Sequence, residues 1–279
     1  MNYSPEIKKL IEDALSEDIG TGDITTLSTI PACKDAEGKY KAKEDGILSG
    51  IDIAREVYRV IDPDIEFTAF FKDGDAVKSG DIIAQVRGNA RNLLTGERVG
   101  LNLMQRMSGI ATRTAKAVEA VKGTGAKIAD TRKTTPGLRV IEKMAVRAGG
   151  GTNHRFNLAD GILIKDNHIV AAGGITAAVA AARANAPHTL KIEVEVETID
   201  QLREALDAGA DIIMLDNMDN ETMREAVKIT AGRAVTEASG NMGDRDLRAV
   251  AETGVDIISI GALTHTVRAL DISLKFTLE

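Results

Sequence analysis

The chain has 279 residues, of which 43% are hydrophobic and 28% charged, and a formal net charge of −7. This composition describes a globular protein with one large or two modest domains, and its acidic balance excludes the broad basic face that nucleic acid requires. A single cysteine, Cys33, excludes an internal disulfide and a cysteine-based zinc cluster, and the absence of Trp argues against a base-stacking platform.

The first thirty residues mix charges of both signs and hold no apolar signal core. The sequence therefore predicts a cytoplasmic protein with no membrane partner. Ser4-Pro5 reads as an N-cap followed by Pro at the first helical position, opening a helix to about Ser16. "GTGDITT" (20–26) is rich in turn and capping residues and is expected to be structural. Residues 36–50 read as strands, 53–60 as a short helix and 66–71 as a strand. "KDGDAVKSGD" (72–81) holds two tight turns and leads into the strand "IIAQVRG". Similar hairpins occur in biotinyl and lipoyl carriers, but no Lys is displayed at a hairpin tip here.

Residues 89–121 carry helical periodicity, although Gly96, Gly100 and Gly109 count against one continuous helix. Arg139, Lys143 and Arg147 are spaced by four and give one basic stripe on a helix, read as a solvated face, the alternative being that it raises the local potential near the pocket. The apolar stretch from Ile169 to Ala182 is too short to span a bilayer. After residue 125 short apolar runs recur: "KIAD", "GILI", "KIEVEV", "DIIML", "RAVTEA" and "DIISI". Amphipathic stretches lie between most of them, which implies parallel strands joined by helical crossovers. Six such units predict a closed or nearly closed α/β barrel, and no GxGxxG supports a dinucleotide-binding doubly wound sheet.

Barrel active sites lie at the C-terminal strand ends. The first run is followed by Thr131, Arg132 and Lys133, and the second by Lys165, Asp166, Asn167 and His168. The third places Glu193, Glu195 and Glu197 on one side of a strand; the fourth ends in Asp216-Asn217. The last two run into Ser239-Gly240-Asn241 and Gly261-Ala262. From Lys127 to His168 there are eight Lys/Arg against four Asp/Glu, so this acidic chain gathers cations in one segment. Arg132 and Arg155 suit bidentate carboxylates, Lys133 and Lys165 suit pyrophosphate oxygens, and Glu195 with Asp216 suits Mg²⁺. The Gly-flanked loops can present main-chain N–H groups to a phosphate monoester. This inventory points to phosphoribosyl transfer. His154, in a polar Gly-rich loop, is a site candidate; His168 either caps its loop or joins the site; His188 is expected at the surface; His265 follows the last phosphate loop.

These residues resemble the quinolinate phosphoribosyltransferase family over nearly the whole chain. The resemblance rests on "EDIGTGDITT" (17–26), "ERVGLNLMQRMSGIAT" (97–112), "DTRKTTPGLR" (130–139), "EKMAVRAGGGTNHR" (142–155), "LIKDNHI" (163–169), "IEVEVET" (192–198), "IIMLDNM" (212–218), "EASGN" (237–241) and "GALTH" (261–265). It implies an irregular, TIM-like α/β barrel of six or seven parallel strands at 106–265 and an N-terminal α+β sandwich at 1–105, with the tail 266–279 returning to it. It further implies Mg²⁺-dependent joining of quinolinate to phosphoribosyl pyrophosphate, giving nicotinate mononucleotide, pyrophosphate and CO₂. By this resemblance Arg132, His154, Arg155 and Lys165 hold the quinolinate carboxylates, with Thr131 and Lys133 beside them. Arg98 reaches across from the partner subunit of a homodimer. Glu195 and Asp216 face the ribose hydroxyls and the metal, while Ser239, Gly240, Asn241, Ile260, Gly261 and Ala262 cradle the 5′-phosphate. Lys133, Lys165, Glu195 and Asp216 are the expected residues of the chemistry. Two competing readings are an aldolase-type barrel with Lys165 as a Schiff-base nucleophile and a non-enzymatic anion-binding module.

Overall fold

The computed structural model describes residues 4–277. In chain order the elements are α1 (Pro5–Ile19), α2 (Ile24–Thr29), β1 (Asp35–Ala42), β2 (Gly46–Ile47), α3 (Ile51–Ile61), β3 (Glu66–Ala69), β4 (Ala76–Val77), β5 (Ile82–Asn89) and α4 (Ala90–Ala120). There follow β6 (Lys127–Ala129), α5 (Arg139–Ala148), β7 (Ile162–Ile164), α6 (Asp166–Ala172), α7 (Ile175–Asn185), β8 (Ile192–Val196) and α8 (Ile199–Asp207). The chain ends with β9 (Ile212–Asp216), α9 (Asn220–Thr230), β10 (Val235–Ser239), α10 (Leu247–Ala251), β11 (Ile257–Ser259), α11 (Ala262–His265) and β12 (Ile272–Thr277). Two compact units divide the chain. One holds residues up to Ala115, Thr135–Gly150 and the segment from Thr266; the other holds Lys116–Thr134 and Gly151–His265. The boundary drawn from sequence after residue 105 falls inside α4.

The first unit is built on an antiparallel sheet in the order β12-β1-β5-β3, with β1 and β12 paired from Glu37↔Thr277 to Ala42↔Ile272. Along β1 every second residue is buried, the period-2 signature of a half-covered sheet. Tyr40 and Tyr58 share a hydrogen bond of 2.9 Å between their hydroxyls inside this core. The tight turn at Gly74 (φ 94°) brings Asp73 to the start of α3, where its carboxylate accepts from Gly50 N and Ile51 N at 2.9 and 3.0 Å. Asp23 caps α2 by accepting from Thr26 N at 3.0 Å, which gives the "GTGDITT" segment its structural use.

Two local expectations are corrected here. Helix α4 runs unbroken through its glycines because packing overrides propensity: a Cβ at Gly109 would strike the carbonyl oxygen of Arg268, and one at Gly96 would meet the Tyr58 ring at 3.0 Å. The basic stripe of α5 is not a solvated face, since Lys143 is fully buried while Arg147 is exposed. The same helix buries Glu142, which accepts from Arg106 Nε at 2.9 Å and from Thr135 N at 3.1 Å.

The second unit is a parallel sheet in the order β6-β11-β10-β9-β8-β7. All six predicted apolar runs form its strands. The last strand, β11, pairs with the first, β6, and an isolated parallel bridge Ala129↔Thr152 lies on the other side of β6. The sheet therefore curls into an irregular α/β barrel that lacks regular pairing between this bridge and β7. The predicted helical crossovers are present, with the apolar stretch 169–182 broken at Gly173-Gly174 into α6 and α7. Among the described residues no helix is long and apolar enough to cross a membrane. Polar caps start the crossovers: Thr198 and Gln201 form a capping box on α8, and Asp219 accepts from Thr222 N at 2.7 Å on α9.

Strand alternation sets what faces inward. In β8 the apolar Ile192, Val194 and Val196 are buried, and Glu193 and Glu195 take the opposite face. Glu195 pairs in register with Met214, Met214 with Glu237, and Asp216 with Ser239, so carboxylates from three strands share the barrel interior. Glu197 lies past the end of β8, where its N–H donates to the Gln201 side chain at 2.8 Å.

Candidate active site

A cavity of about 380 Å³ opens at the C-terminal ends of the barrel strands. Thr131, Arg132, Lys133, His154, Arg155 and Lys165 line it from the first segments; Glu195, Asp216 and Ser239 line it from β8, β9 and β10. The volume lies within the range of about 300–1,000 Å³ usual for small-ligand sites. The predicted cations and carboxylates thus meet in one place.

Each side chain has an identifiable support. Asp130, fully buried at the end of β6, accepts from Asn153 Nδ2 at 2.6 Å and from His154 N at 2.9 Å, and so fixes the Gly-rich loop. His154 Nδ1 accepts from Arg155 N at 2.8 Å. Arg155 reaches Gly161 O at 2.9 Å, and burial followed by the Arg132 charge pulls its pKa below the ordinary guanidinium value. Lys165 Nζ donates to Glu195 Oε2 at 2.8 Å. His168 closes the capping box of α6 by accepting from Lys165 N at 3.0 Å, which makes it a support for Lys165. Lys133 N donates to Thr131 Oγ1 at 3.0 Å, and Lys133 O accepts from Thr264 Oγ1 at 2.9 Å.

The two phosphate-loop candidates differ in structure. Gly240 (φ 93°) and Asn241 (φ 51°) are both left-handed, and a Cβ on Gly240 would collide with Asn217. Asn241 is exposed. In the second loop, Ile260 is buried and its N–H donates to Ala129 O at 2.9 Å, so its main-chain donor is committed to β6. Glycine at 261 makes room for Lys133, whose Cδ lies 2.9 Å from where a Cβ would stand. Arg98 belongs to the first unit, on α4, with a side chain 59% exposed beside Glu97 at 3.9 Å.

Two buried carboxylates to which sequence reading gave no role, Glu193 and Glu237, stand beside His154. His154 Nε2 lies 3.2 Å from Glu193 Oε2 and 3.7 Å from Glu237 Oε1. Burial, then the neighbouring Glu193 charge, push the Glu237 carboxyl up to about 7. The three side chains have the spacing of a metal-ligand set. The hydrogen bond into Nδ1 argues otherwise, because it places the imidazole proton on Nε2, which then has no lone pair for a cation. Alternation already puts Glu193 on the side of Glu195 in "IEVEV", and by the same period "TEAS" puts Glu237 on the side of Ser239.

A parallel α/β barrel whose C-terminal mouth sets five basic side chains against three carboxylates, Glu195, Asp216 and Glu237, has the form of an enzyme site suited to small, multiply anionic ligands. Comparison with known proteins narrows this class. Residues 23–108 match the family described as quinolinate phosphoribosyl transferase, N-terminal domain, and residues 110–275 match its C-terminal domain. The chain is 50% identical, over 98% of its length and 94% of the relative's, to a probable carboxylating nicotinate-nucleotide pyrophosphorylase of Bacillus subtilis. Its fold matches the crystal structure of NadC from Streptococcus pyogenes with a TM-score of 0.93 at 43% identity, covering 100% and 99% of the two chains. It also matches the nicotinate-nucleotide pyrophosphorylase of Francisella tularensis with a TM-score of 0.94 at 42% identity, covering 99% and 98%. The chain belongs to the quinolinate phosphoribosyltransferase family, and is an enzyme of the pentosyltransferase class.

Proposed function

We propose that the enzyme transfers the phosphoribosyl group of phosphoribosyl pyrophosphate to quinolinate and decarboxylates the adduct, giving nicotinate mononucleotide, pyrophosphate and CO₂ for NAD biosynthesis. The observation that carries this reading is the convergence of Arg132, Lys133, His154, Arg155 and Lys165 on one cavity opposite Glu195 and Asp216. Arg132 and Arg155 hold the two ring carboxylates in bidentate fashion, with His154 and Lys165 beside them. This orients the pyridine nitrogen toward the ribose C1. Positive charge then develops on the sugar and negative charge on the departing pyrophosphate, which Lys133 stabilises from its fixed position against Gly261. The resulting pyridinium nitrogen stabilises the electron pair left when the adjacent carboxylate departs, so positioning and exclusion of water account for much of the second step.

Glu195 and Asp216 also fit Mg²⁺. They stand on neighbouring strands, face the same cavity and offer only hard oxygen donors, as that ion prefers when it keeps substrate oxygens among its ligands. Bound there, Mg²⁺ would neutralise charge on the diphosphate. Gly240, Asn241, Gly261 and Ala262 offer the terminal phosphate main-chain donors, and Ser239 a hydroxyl. A homodimer completes the site if the exposed Arg98 of each subunit serves its partner. A coupled assay for pyrophosphate and CO₂, with quinolinate as substrate and nicotinate as control, tests the function. Equal release of both products with quinolinate only, and only with Mg²⁺, is the expected result; turnover of nicotinate at a comparable rate refutes the substrate assignment.

A further inference from the structure

We propose that Glu237 is the acid that returns a proton to the ring carbon vacated by CO₂, an inference that rests on the decarboxylating reading above. Loss of CO₂ breaks a C–C bond and leaves its electron pair on that carbon. In the same step the pair takes the proton of the Glu237 carboxyl to form the C–H bond of the product, so that C–C cleavage and proton transfer share one barrier. The resulting carboxylate is reset by a proton from water.

The geometry singles out this residue. The barrel holds a second cavity, of about 370 Å³, on the side of the N-terminal strand ends, with exposed Asp160, Thr189 and Lys191 at its rim. Glu237, His154 and Arg155 line both cavities. The Glu237 carboxyl therefore stands between the substrate and a separate approach for water. It can be recharged from behind without crossing the bound ligand. Glu237 is 2% exposed, yet its Oε1 makes no hydrogen bond among the described residues. A buried oxygen in that state is either costly or reserved for a ligand.

The other proton carriers in the cavity are committed or unsuitable. Lys165 donates to Glu195. A guanidinium does not give up its proton. His154, whose Nδ1 already accepts a main-chain N–H, would be left as an imidazolate if it released its Nε2 proton. Lys133 lies against Gly261 and the phosphate loop. The groups facing Glu237 are Glu193 from β8, Lys165 after β7, His154 and Arg155 from the loop before β7, and Ser259 from β11; from β9 its register partner is the non-titrating Met214. Burial and the Glu193 charge keep the Glu237 carboxyl protonated up to near neutrality, as the role requires.

The test is a rapid-quench single turnover with quinolinate labelled in the 2-carboxylate, following CO₂ and pyrophosphate separately. In the wild type the two appear together. In E237Q, which keeps the shape and removes the transferable proton, the rate of CO₂ formation relative to pyrophosphate falls about 100-fold, the size of a general-acid contribution. CO₂ keeping pace with pyrophosphate in E237Q, or both falling in step while quinolinate still binds by calorimetry, overturns the proposal. If E237Q does not fold, the wild type decides: the CO₂-to-pyrophosphate rate ratio falls as pH rises above about 7, and a flat ratio overturns the proposal. A wild type that releases no pyrophosphate from these substrates would instead refute the functional reading itself.

Discussion

Replacing Arg132 with Ala tests the carboxylate-holding arrangement most directly. Arg132 lines the cavity at the barrel mouth beside Arg155, and its charge is felt there as a downward pull on the Arg155 pKa. Its removal leaves one guanidinium for two ring carboxylates. A bidentate hold contributes two charge-assisted hydrogen bonds at about 1.5 kcal/mol each, taking the low end because Arg132 is only partly buried. The loss is then about 3 kcal/mol, or roughly 150-fold in kcat/KM for quinolinate. Pyrophosphate release at saturating phosphoribosyl pyrophosphate and varied quinolinate measures it, with a thermal melt to verify folding. Arg132→Lys should remain about tenfold down, because a point charge cannot reproduce the fork. A kcat/KM for Arg132→Ala within about threefold of wild type would refute the assignment, since no carboxylate would then have lost its partner.

Three further outcomes follow from packing and burial. Gly109→Ala sets propensity against sterics: alanine favours a helix by about 1 kcal/mol, but its Cβ meets the Arg268 carbonyl, so a net destabilisation of about 2 kcal/mol is expected in urea unfolding. Arg106→Ala strands the fully buried Glu142 and should cost about 3 kcal/mol, read as a fall in Tm of several degrees; an unchanged Tm would mean Glu142 finds another partner. Glu237 has a folded pKa raised from 4.5 to about 7, so its contribution to stability is present below pH 4.5 and lost as pH rises through 7. Unfolding free energy should decline by up to about 3 kcal/mol over that window in the wild type and not in E237Q.

The barrel was legible in the sequence because its signal is local. "KIEVEV" and "DIIML" alternate or run apolar over the length of one strand, and each is followed by a capped helix. The misreadings arose where distant residues decide. Nothing near Gly109 in sequence reports that the chain at Arg268 needs its missing side chain, so three glycines counted against one continuous helix. Lys143 looked solvated because spacing by four marks a helix face without saying which way it points.

The site divides in the same manner. Arg132, Lys133, Lys165 and Asp216 were found because they end or directly follow apolar runs, and strand ends of a parallel barrel share one mouth. Glu193 and Glu237 sit inside their strands, where a carboxylate most often lines a polar barrel and does nothing more. What distinguishes Glu237 is three-dimensional: it is buried beside Glu193 and His154, and it is reached from two cavities. No spacing within "RAVTEAS" reports either fact. The residues proposed to bind anions were visible at the ends of the strands, whereas the group proposed to move a proton became visible only when β8 and β10 were set on either side of β9.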